Sequence, residues 1–279
     1  MNNFDKFNKI RNSATRKSDV ITNMAEVSGD VGFKCVRILW LYPDTMNIHG
    51  GRGDVMALLH IADLLGIPVE IRRCDRLSYG MDWKNTDIAY MTAGELKCVP
   101  EVCRDMEHYE KGMKEFINDG GVLIANGSSG AVLGNTLTNY SGRTTRGLGL
   151  LDMDWKERES VWGDDIWIKT EEGMEIIGNQ IQVADITLGE GQKPFGEVVY
   201  GRGNNGDGVE GAVKGNVIYT GVLGPVLTKN PEFTAWILKQ GAAKAGIETV
   251  GELDKNDIEI ELKSAEYIKA FMKEKMAKK

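Results

Sequence analysis

Two hydrophobicity patterns alternate along most of the chain, one typical of buried strands and one typical of amphipathic helices. Short, nearly continuous apolar runs lie at residues 35–43, 67–74, 86–94, 120–126 and 215–225. Segments with apolar residues at helical spacing lie between or after them, at residues 54–66, 101–118 and 231–246, the last beginning with a proline. This alternation predicts an α/β fold in which helices flank a parallel-centred sheet.

The rest of the chain has a different pattern. Residues 155–201 predict shorter strands with glycine-rich turns, and we expect an antiparallel extension there. From Asn256 onward an apolar stripe among charges predicts an amphipathic helix that docks on this chain or on a partner. The stripe consists of Ile260, Tyr267, Ile268, Phe271 and Met272. We therefore divide the chain into a polar N-terminal extension (1–33), an α/β domain (34–250) and a helical tail (251–279).

Composition narrows the function classes. A net charge of −7 argues against nonspecific binding to nucleic acid, which needs a clustered basic surface. No apolar run approaches the roughly 20 residues that span a bilayer, and residues 1–33 lack the apolar centre of a secretory signal, so we expect a cytoplasmic protein. The four cysteines have no spacing typical of a disulfide framework or zinc site, and we expect neither a metal nor a cofactor.

Three loops follow predicted strands, at the sheet edge where α/β proteins bind ligands. They read LYPDTMNIHGGRGD at residues 41–54, YGRGNNGDGVEG at 200–211 and GPVLTKNP at 224–231. In this order they resemble the GatD family of cobyric-acid-synthase-like class I glutamine amidotransferases, whose segments read close to LYPDLMNIYGDRGN, G-x-GNN-x(n)-EG and GPLLPKNP. The resemblance extends over roughly residues 36–246.

The resemblance implies a glutaminase in which a cysteine on a strand-turn-helix elbow attacks glutamine. A histidine after a later strand acts as base, and a glycine loop supplies oxyanion donors. It also implies a heterodimer, because GatD delivers ammonia to MurT, a Mur-ligase-like partner that activates a carboxylate with ATP and amidates it.

The catalytic positions of that family are substituted here. The family elbow VLAICGGYQLLG compares with VLIANGSSGAVLG, which places Asn126 at the cysteine, and a carboxamide has no ionisation to make it a nucleophile. The family LHGP compares with VLGP, which leaves Leu223 or Gly224 at the histidine. The three histidines, His49, His60 and His108, all precede the elbow, as do all four cysteines. The family loop GGGQD compares with TAGELK, which keeps only Gly94.

These substitutions predict a pseudoenzyme, a GatD-like subunit that has lost glutaminase activity and partners a Mur-ligase-type ATP-dependent ligase. The candidate ligand pocket comprises Gly94, Glu95, Asn126, Gly127, Ser128 and Ser129. The first loop contributes Asp44, Asn47, His49 and Arg52, of which Arg52 is available to an anion. This loop is not a Walker A motif, since no G-K-[ST] follows it.

Two alternatives stay open. The chain is an active amidotransferase with unusual residues, or a hydrolase on Ser128 or Ser129, although neither serine completes G-x-S-x-G and the base would have to be His49, His108 or Glu95. Otherwise it is a small-molecule binding module in which Asn126 and the serine pair bind a polar ligand. Cys98 lies just beyond the glycine loop, and we interpret it as a buried structural thiol.

Overall fold

The structure is a computed structural model, which describes residues 20–23, 34–75, 81–248 and 250–278. The strands are β1 (Val20–Thr22), β2 (Val36–Leu41), β3 (Val69–Cys74), β4 (Ile88–Met91), β5 (Val122–Asn126), β6 (Thr136–Thr138), β7 (Thr144–Arg146), β8 (Met153–Thr170), β9 (Glu175–Leu188), β10 (Gly196–Tyr200), β11 (Val209–Glu210), β12 (Ala212–Lys214) and β13 (Val217–Thr220). The helices are α1 (Gly51–Leu64), α2 (Val99–Glu107), α3 (Glu110–Asn118), α4 (Gly130–Leu133), α5 (Val226–Lys229), α6 (Pro231–Lys244) and α7 (Glu259–Ala277).

A seven-stranded sheet in the order β1-β3-β2-β4-β5-β13-β12 forms the centre of the fold. Strands β3, β2, β4, β5 and β13 run parallel, and the outer strands β1 and β12 pair antiparallel. Neighbouring residues of one strand enter different cores: Ile124 packs in the core that contains α1 and α6, and Leu123 in the core that contains α2 and α3. Helices therefore cover both faces, which confirms the predicted α/β fold.

The second sheet differs from the prediction of short strands. Strand β8 has 18 residues and pairs antiparallel with β9, which has 14. Their register shifts between Glu157 and Trp162, where the polar run RESV interrupts the ladder. The segment predicted as one helix over residues 101–118 is two helices, because α2 ends at Glu107 and α3 begins at Glu110.

Part of the predicted N-terminal extension belongs to the central sheet. Strand β1 pairs with β3, and the Thr22 hydroxyl donates to the Val69 carbonyl at 2.8 Å. Asn23 extends the contact, since its side chain donates to Ile67 O at 2.9 Å and accepts from Val69 N at 2.8 Å. Residues 1–19 and 24–33 lie outside the described residues, so the proposed domain boundaries remain predictions.

The C-terminal helix α7 divides its apolar stripe between two faces. Met272 is fully buried and, with Ile268, packs on Trp167 and other residues of the second sheet. The Lys275 ammonium contacts Asp164 at 2.9 Å and adds an ion pair to the same contact. Tyr267 remains 79% exposed, on the other face of the helix. Among the described residues no helix has the length and apolar character to cross a membrane.

Replacing the buried anchor of α7 should release the helix. Met272→Ala is expected to cost about 2–5 kcal/mol of the free energy that holds α7 in place, because a buried methionine is lost and a cavity remains. Hydrogen exchange over residues 259–277 should accelerate in this variant. Tyr267→Ala is the matched control, since its side chain is exposed. Equal acceleration in both variants would contradict the packing described here.

Candidate functional site

A cleft of about 360 Å³ opens at the carboxyl ends of β4, β5 and β13. The parallel register places Thr220, the last residue of β13, beside Asn126, the last of β5, so the loops that follow share one edge of the sheet. The cleft is lined by Ile48, His49, Ala93, Gly94, Glu95, Leu96, Lys97, Gly127, Ser128, Trp155, Glu157, Gln180, Ile181, Gln182, Val183, Ala184, Ile186, Tyr219, Gly221 and Leu223.

The elbow after β5 turns at Gly127. The backbone is extended at Asn126 and left-handed at Gly127, with a φ of 63°, before the chain enters α4. A Cβ atom at Gly127 would lie 2.8 Å from Ala93 Cβ and 2.9 Å from Leu223 Cδ2. In α/β enzymes a nucleophile stands at such a turn. Here the turn carries no side chain, and Ala93 and Leu223 occupy the space that one would need.

Asn126 and Ser129 lie below the cleft and are not among its lining residues. The Asn126 amide is 2% exposed and donates to Thr220 O at 3.2 Å and to Val222 O at 2.6 Å. The Ser129 hydroxyl is fully buried beside Met91 O at 3.1 Å and Asn126 O at 2.9 Å. Both side chains connect β5 to the neighbouring segments, so the structure gives them contacts within the fold and none in the cleft.

The Ser128 hydroxyl is hydrogen-bonded to the backbone N–H of Gly94, which belongs to the glycine loop beside the cleft. Its Oγ accepts from Gly94 N at 2.9 Å and donates to Gly94 O. An oxyanion hole needs backbone N–H groups that are free to meet developing charge. The Gly94 N–H is therefore already paired. Among the described residues no hydrogen bond joins Ser128 or Ser129 to a histidine.

The first loop contributes one of its four candidates to the cleft. His49 has a left-handed backbone, with φ of 58°, and lines the cleft, where partial burial lowers its pKa. Asp44 lies elsewhere, with its carboxylate 2.6 Å from the Arg73 guanidinium. Asn47 and Arg52 are exposed and are not among the lining residues. Cys98 is half-buried in the packing against the α2 side of the sheet.

Glu210, from the EG segment, is a buried carboxylate behind the cleft wall. It is 1% exposed and accepts from the Thr220 hydroxyl at 3.0 Å and from the Gly221 N–H. Burial raises its pKa to about 7, and these two hydrogen bonds only partly oppose the effect. Glu210 thus fixes the segment that carries Leu223 to the cleft.

Removing that carboxylate should change how stability depends on pH. The folded pKa of Glu210 lies above its ordinary value of 4.5, so the stability of the wild type falls as pH rises from about 4.5 to about 7. Glu210→Gln is expected to reduce the loss of unfolding free energy between pH 5 and pH 8 by about 2 kcal/mol. Urea unfolding at both pH values measures it. Asp54, with a pKa also raised to about 7 by burial, titrates in both proteins, so identical profiles would contradict the role of Glu210.

The second sheet supplies a cleft wall that sequence reasoning missed. Gln180 and Gln182 share one face of β9, since alternate residues of a strand point to the same side. The Gln182 amide donates to Gly203 O at 3.1 Å and to Asn204 O. Its Oε1 is buried without a hydrogen-bond partner among the described residues. The Gln-x-Gln spacing in a strand was the available signal.

Comparison with known proteins adds relatives of one kind. The chain is 28% identical over 214 residues, 76% of its length and 82% of the relative, to the lipid II isoglutaminyl synthase (glutamine-hydrolyzing) subunit GatD of Streptococcus pneumoniae. It is 26% identical over 223 residues, 79% of its length and 90% of the relative, to the same-named subunit of Staphylococcus aureus. A solved glutamine amidotransferase superposes with a TM-score of 0.50 at 15% identity, over 73% of this chain and 98% of that one. No protein-family profile matches.

Proposed function

This chain belongs to the GatD-like class I glutamine amidotransferases, and from that premise we propose that it is a subunit of an amidating ligase complex and that the subunit itself has lost glutamine hydrolysis. Two relatives are named as subunits of lipid II isoglutaminyl synthase, and we propose the same class of complex for this chain.

The bare turn at Gly127 carries the proposal. Aligned without a gap, the family's AICGGYQLLG and this chain's ANGSSGAVLG place Gly127, rather than Asn126, at the nucleophile. Leu223 then stands at the base, and its Cδ2 is the atom 2.9 Å from where a nucleophile's Cβ would begin. This one-residue shift in the alignment does not change the conclusion that the nucleophile is absent, because glycine, like a carboxamide, offers no group that could attack glutamine.

The oxyanion donors support the same proposal. Ala93 stands where the family loop GGGQD has a glycine, and its Cβ is the other atom that crowds a side chain at Gly127, at 2.8 Å. Ser128 stands where the family elbow has a glycine, and its hydroxyl takes the Gly94 N–H. The alanine fills space that a nucleophile would need, and the serine hydroxyl pairs with an N–H that an oxyanion would need.

We propose a heterodimer with a Mur-ligase-type, ATP-dependent partner, and ammonia that arrives from solution. The four cysteines are free in the structure, which fits a cytoplasmic complex. In this arrangement the chain positions or stabilises the ligase.

The test is glutamate release from glutamine by the purified chain, alone and with its ligase. We expect no release above buffer in either case. Robust release that Ser128→Ala abolishes would replace this proposal with the serine enzyme, and labelling of Ser128 by a serine-directed phosphonate would support that replacement. We expect no labelling, because the hydroxyl is held on Gly94 and has no histidine bonded to it.

A further inference from the structure

We propose that helix α7 pairs antiparallel with the α7 of a second copy of this chain, through the face that points away from the domain. Neither glutaminase nor ligase chemistry enters into this pairing, so it stands apart from the proposed function. The chain then has a self-complementary surface that is separate from the cleft.

The outward face of α7 consists of two columns of residues. In each column the residues are seven apart, a spacing that keeps side chains on one side of a helix. The first column is Ile260, Tyr267 and Glu274, and the second is Lys263, Ala270 and Ala277. All six residues are exposed, and Ile260 and Tyr267 are each 79% exposed. By helical geometry both columns lie opposite Met272, which anchors α7 on the domain.

Antiparallel pairing brings a large side chain against a small one in each apolar layer. When Tyr267 of one copy faces Ala270 of the second, Ile260 faces Ala277, because both pairs have their midpoint between positions 268 and 269. Two-fold symmetry repeats each contact, so four layers of the seam are apolar. Large-against-small packing lets the two helices approach closely and removes Ile260 and Tyr267 from water.

The charged residues of the outward face select the same arrangement. Lys263 and Glu274 have the same midpoint as the apolar pairs, so antiparallel pairing places each lysine opposite a glutamate of the second copy. On one flank it also brings Glu266 of one copy toward Lys273 of the other. Parallel pairing in register would place each of these charges beside its own copy, which is unfavourable. Charge therefore favours the antiparallel dimer.

A membrane surface fits this face less well than a second copy does. Helices that lie in a membrane interface surround an apolar face with lysine and arginine. The outward face of α7 instead carries Glu274 in its first column, and Lys263 already has an acid beside it, because Glu259 lies 2.7 Å from its ammonium. The buried Met272 is used against Trp167 of the domain. A face with both signs of charge fits a partner that has the same pattern in reverse order.

The proposed seam is short. Helix α7 has 19 residues, which corresponds to about 28 Å of helix. Small interfaces form weak or transient complexes, so we expect a dimer that dissociates on dilution.

Charge reversal tests both the pairing and its register. In sedimentation velocity on the full chain, the wild type should pass from dimer to monomer over a dilution series. Lys263→Glu and Glu274→Lys should each raise the dissociation constant of the dimer at least ~10-fold, because each places like charges in two layers. The double variant restores opposite charges in those layers, and its dissociation constant should return to within ~3-fold of the wild type.

Lys111→Glu is the matched control for the change in charge. Lys111 forms the same kind of i,i+4 pair, with Glu115 on α3, and its side chain is 91% exposed. This variant should dimerise like the wild type. In dilute solution, hydrogen exchange over residues 259–277 should be the same in the wild type and the charge variants, which checks that α7 stays docked in the monomer.

A wild-type chain that is monomeric at every concentration would overturn the inference. So would single variants that dimerise as tightly as the wild type, or a double variant that does not recover. Glutamate release does not depend on α7 pairing, so any of these results leaves the proposed function in place, and release by the wild type would overturn that function alone.

Discussion

Four substitutions that rebuild the elbow, Ala93→Gly, Gly127→Cys, Ser128→Gly and Leu223→His, are expected to make the chain release glutamate at least ~1000-fold faster than the wild type. The expected ratio is large because the wild-type rate, to which it is compared, should equal the spontaneous rate of glutamate release in buffer. The expectation lies below the roughly million-fold effect of a catalytic triad, since a rebuilt site will not hold its groups in ideal positions.

The first pair of changes supplies a nucleophile and the space for it. Gly127→Cys places a thiol on the turn, where φ is 63°, a backbone conformation that strains any residue with a Cβ. That Cβ would lie 2.8 Å from Ala93 Cβ, which is too close for two carbon atoms. Ala93→Gly removes this contact, and the other crowding atom, Leu223 Cδ2 at 2.9 Å, is removed by Leu223→His.

The second pair supplies the donor and the base. Ser128→Gly removes the hydroxyl that now accepts from Gly94 N at 2.9 Å, and frees that N–H for an oxyanion. Leu223→His replaces a side chain that reaches to within 2.9 Å of the position of the new Cβ, so an imidazole there lies beside the thiol. A base next to the thiol raises the thiolate fraction near neutral pH.

The matched control carries the other three substitutions and keeps Gly127, and it should stay at the wild-type rate. A chloroketone analogue of glutamine should label the introduced thiol and leave the control unlabelled. If the four-substitution variant folds, as judged by cooperative thermal unfolding, yet neither releases glutamate nor becomes labelled, Gly127 is not at the nucleophile position.

The α/β core could be predicted because its signal is local. All residues of β4, β5 and β13 are buried, so these strands read as unbroken apolar runs. The length of β8 could not be predicted, because residues 159–161 in its middle are exposed, and only the pairing with β9 on either side of them shows that the segment is one strand. The edge strand β1 could not be predicted for a related reason, because its three residues pair with β3, which lies far along the chain.

The site divides in the same way. Motif resemblance located the glycine loop, the elbow and Leu223, because each is a short segment with a fixed spacing. It could not tell which elbow residue makes the turn, since that depends on a backbone angle, and the left-handed angle belongs to Gly127 rather than Asn126. The place of Gln182 in the cleft wall could not be predicted either, because the second sheet brings it there through long-range packing.

In a complex with a Mur-ligase-type partner, the wild-type chain is expected to support amidation with ammonium salts and none above background with glutamine. The bare turn at Gly127 offers no atom to bond the glutamine carbonyl, so ammonia must reach the ligase from solution. The rate with ammonium should rise with pH, because free ammonia rather than ammonium is the nucleophile. Product formation by mass spectrometry, with each nitrogen source in turn, measures both expectations.

The four-substitution variant serves as the control in the same complex. If its thiol generates ammonia beside the ligase, glutamine should begin to support amidation while the rate with ammonium stays unchanged. Glutamine use by the wild-type complex would contradict the loss of glutaminase activity. Failure of the chain to co-purify with the ligase, together with ammonium-dependent amidation by the ligase alone at the same rate, would contradict the partnership and leave that loss intact. The two halves of the proposed function are therefore separately testable: glutamate release tests the loss of chemistry at Gly127, and co-purification together with the amidation rate tests the partnership.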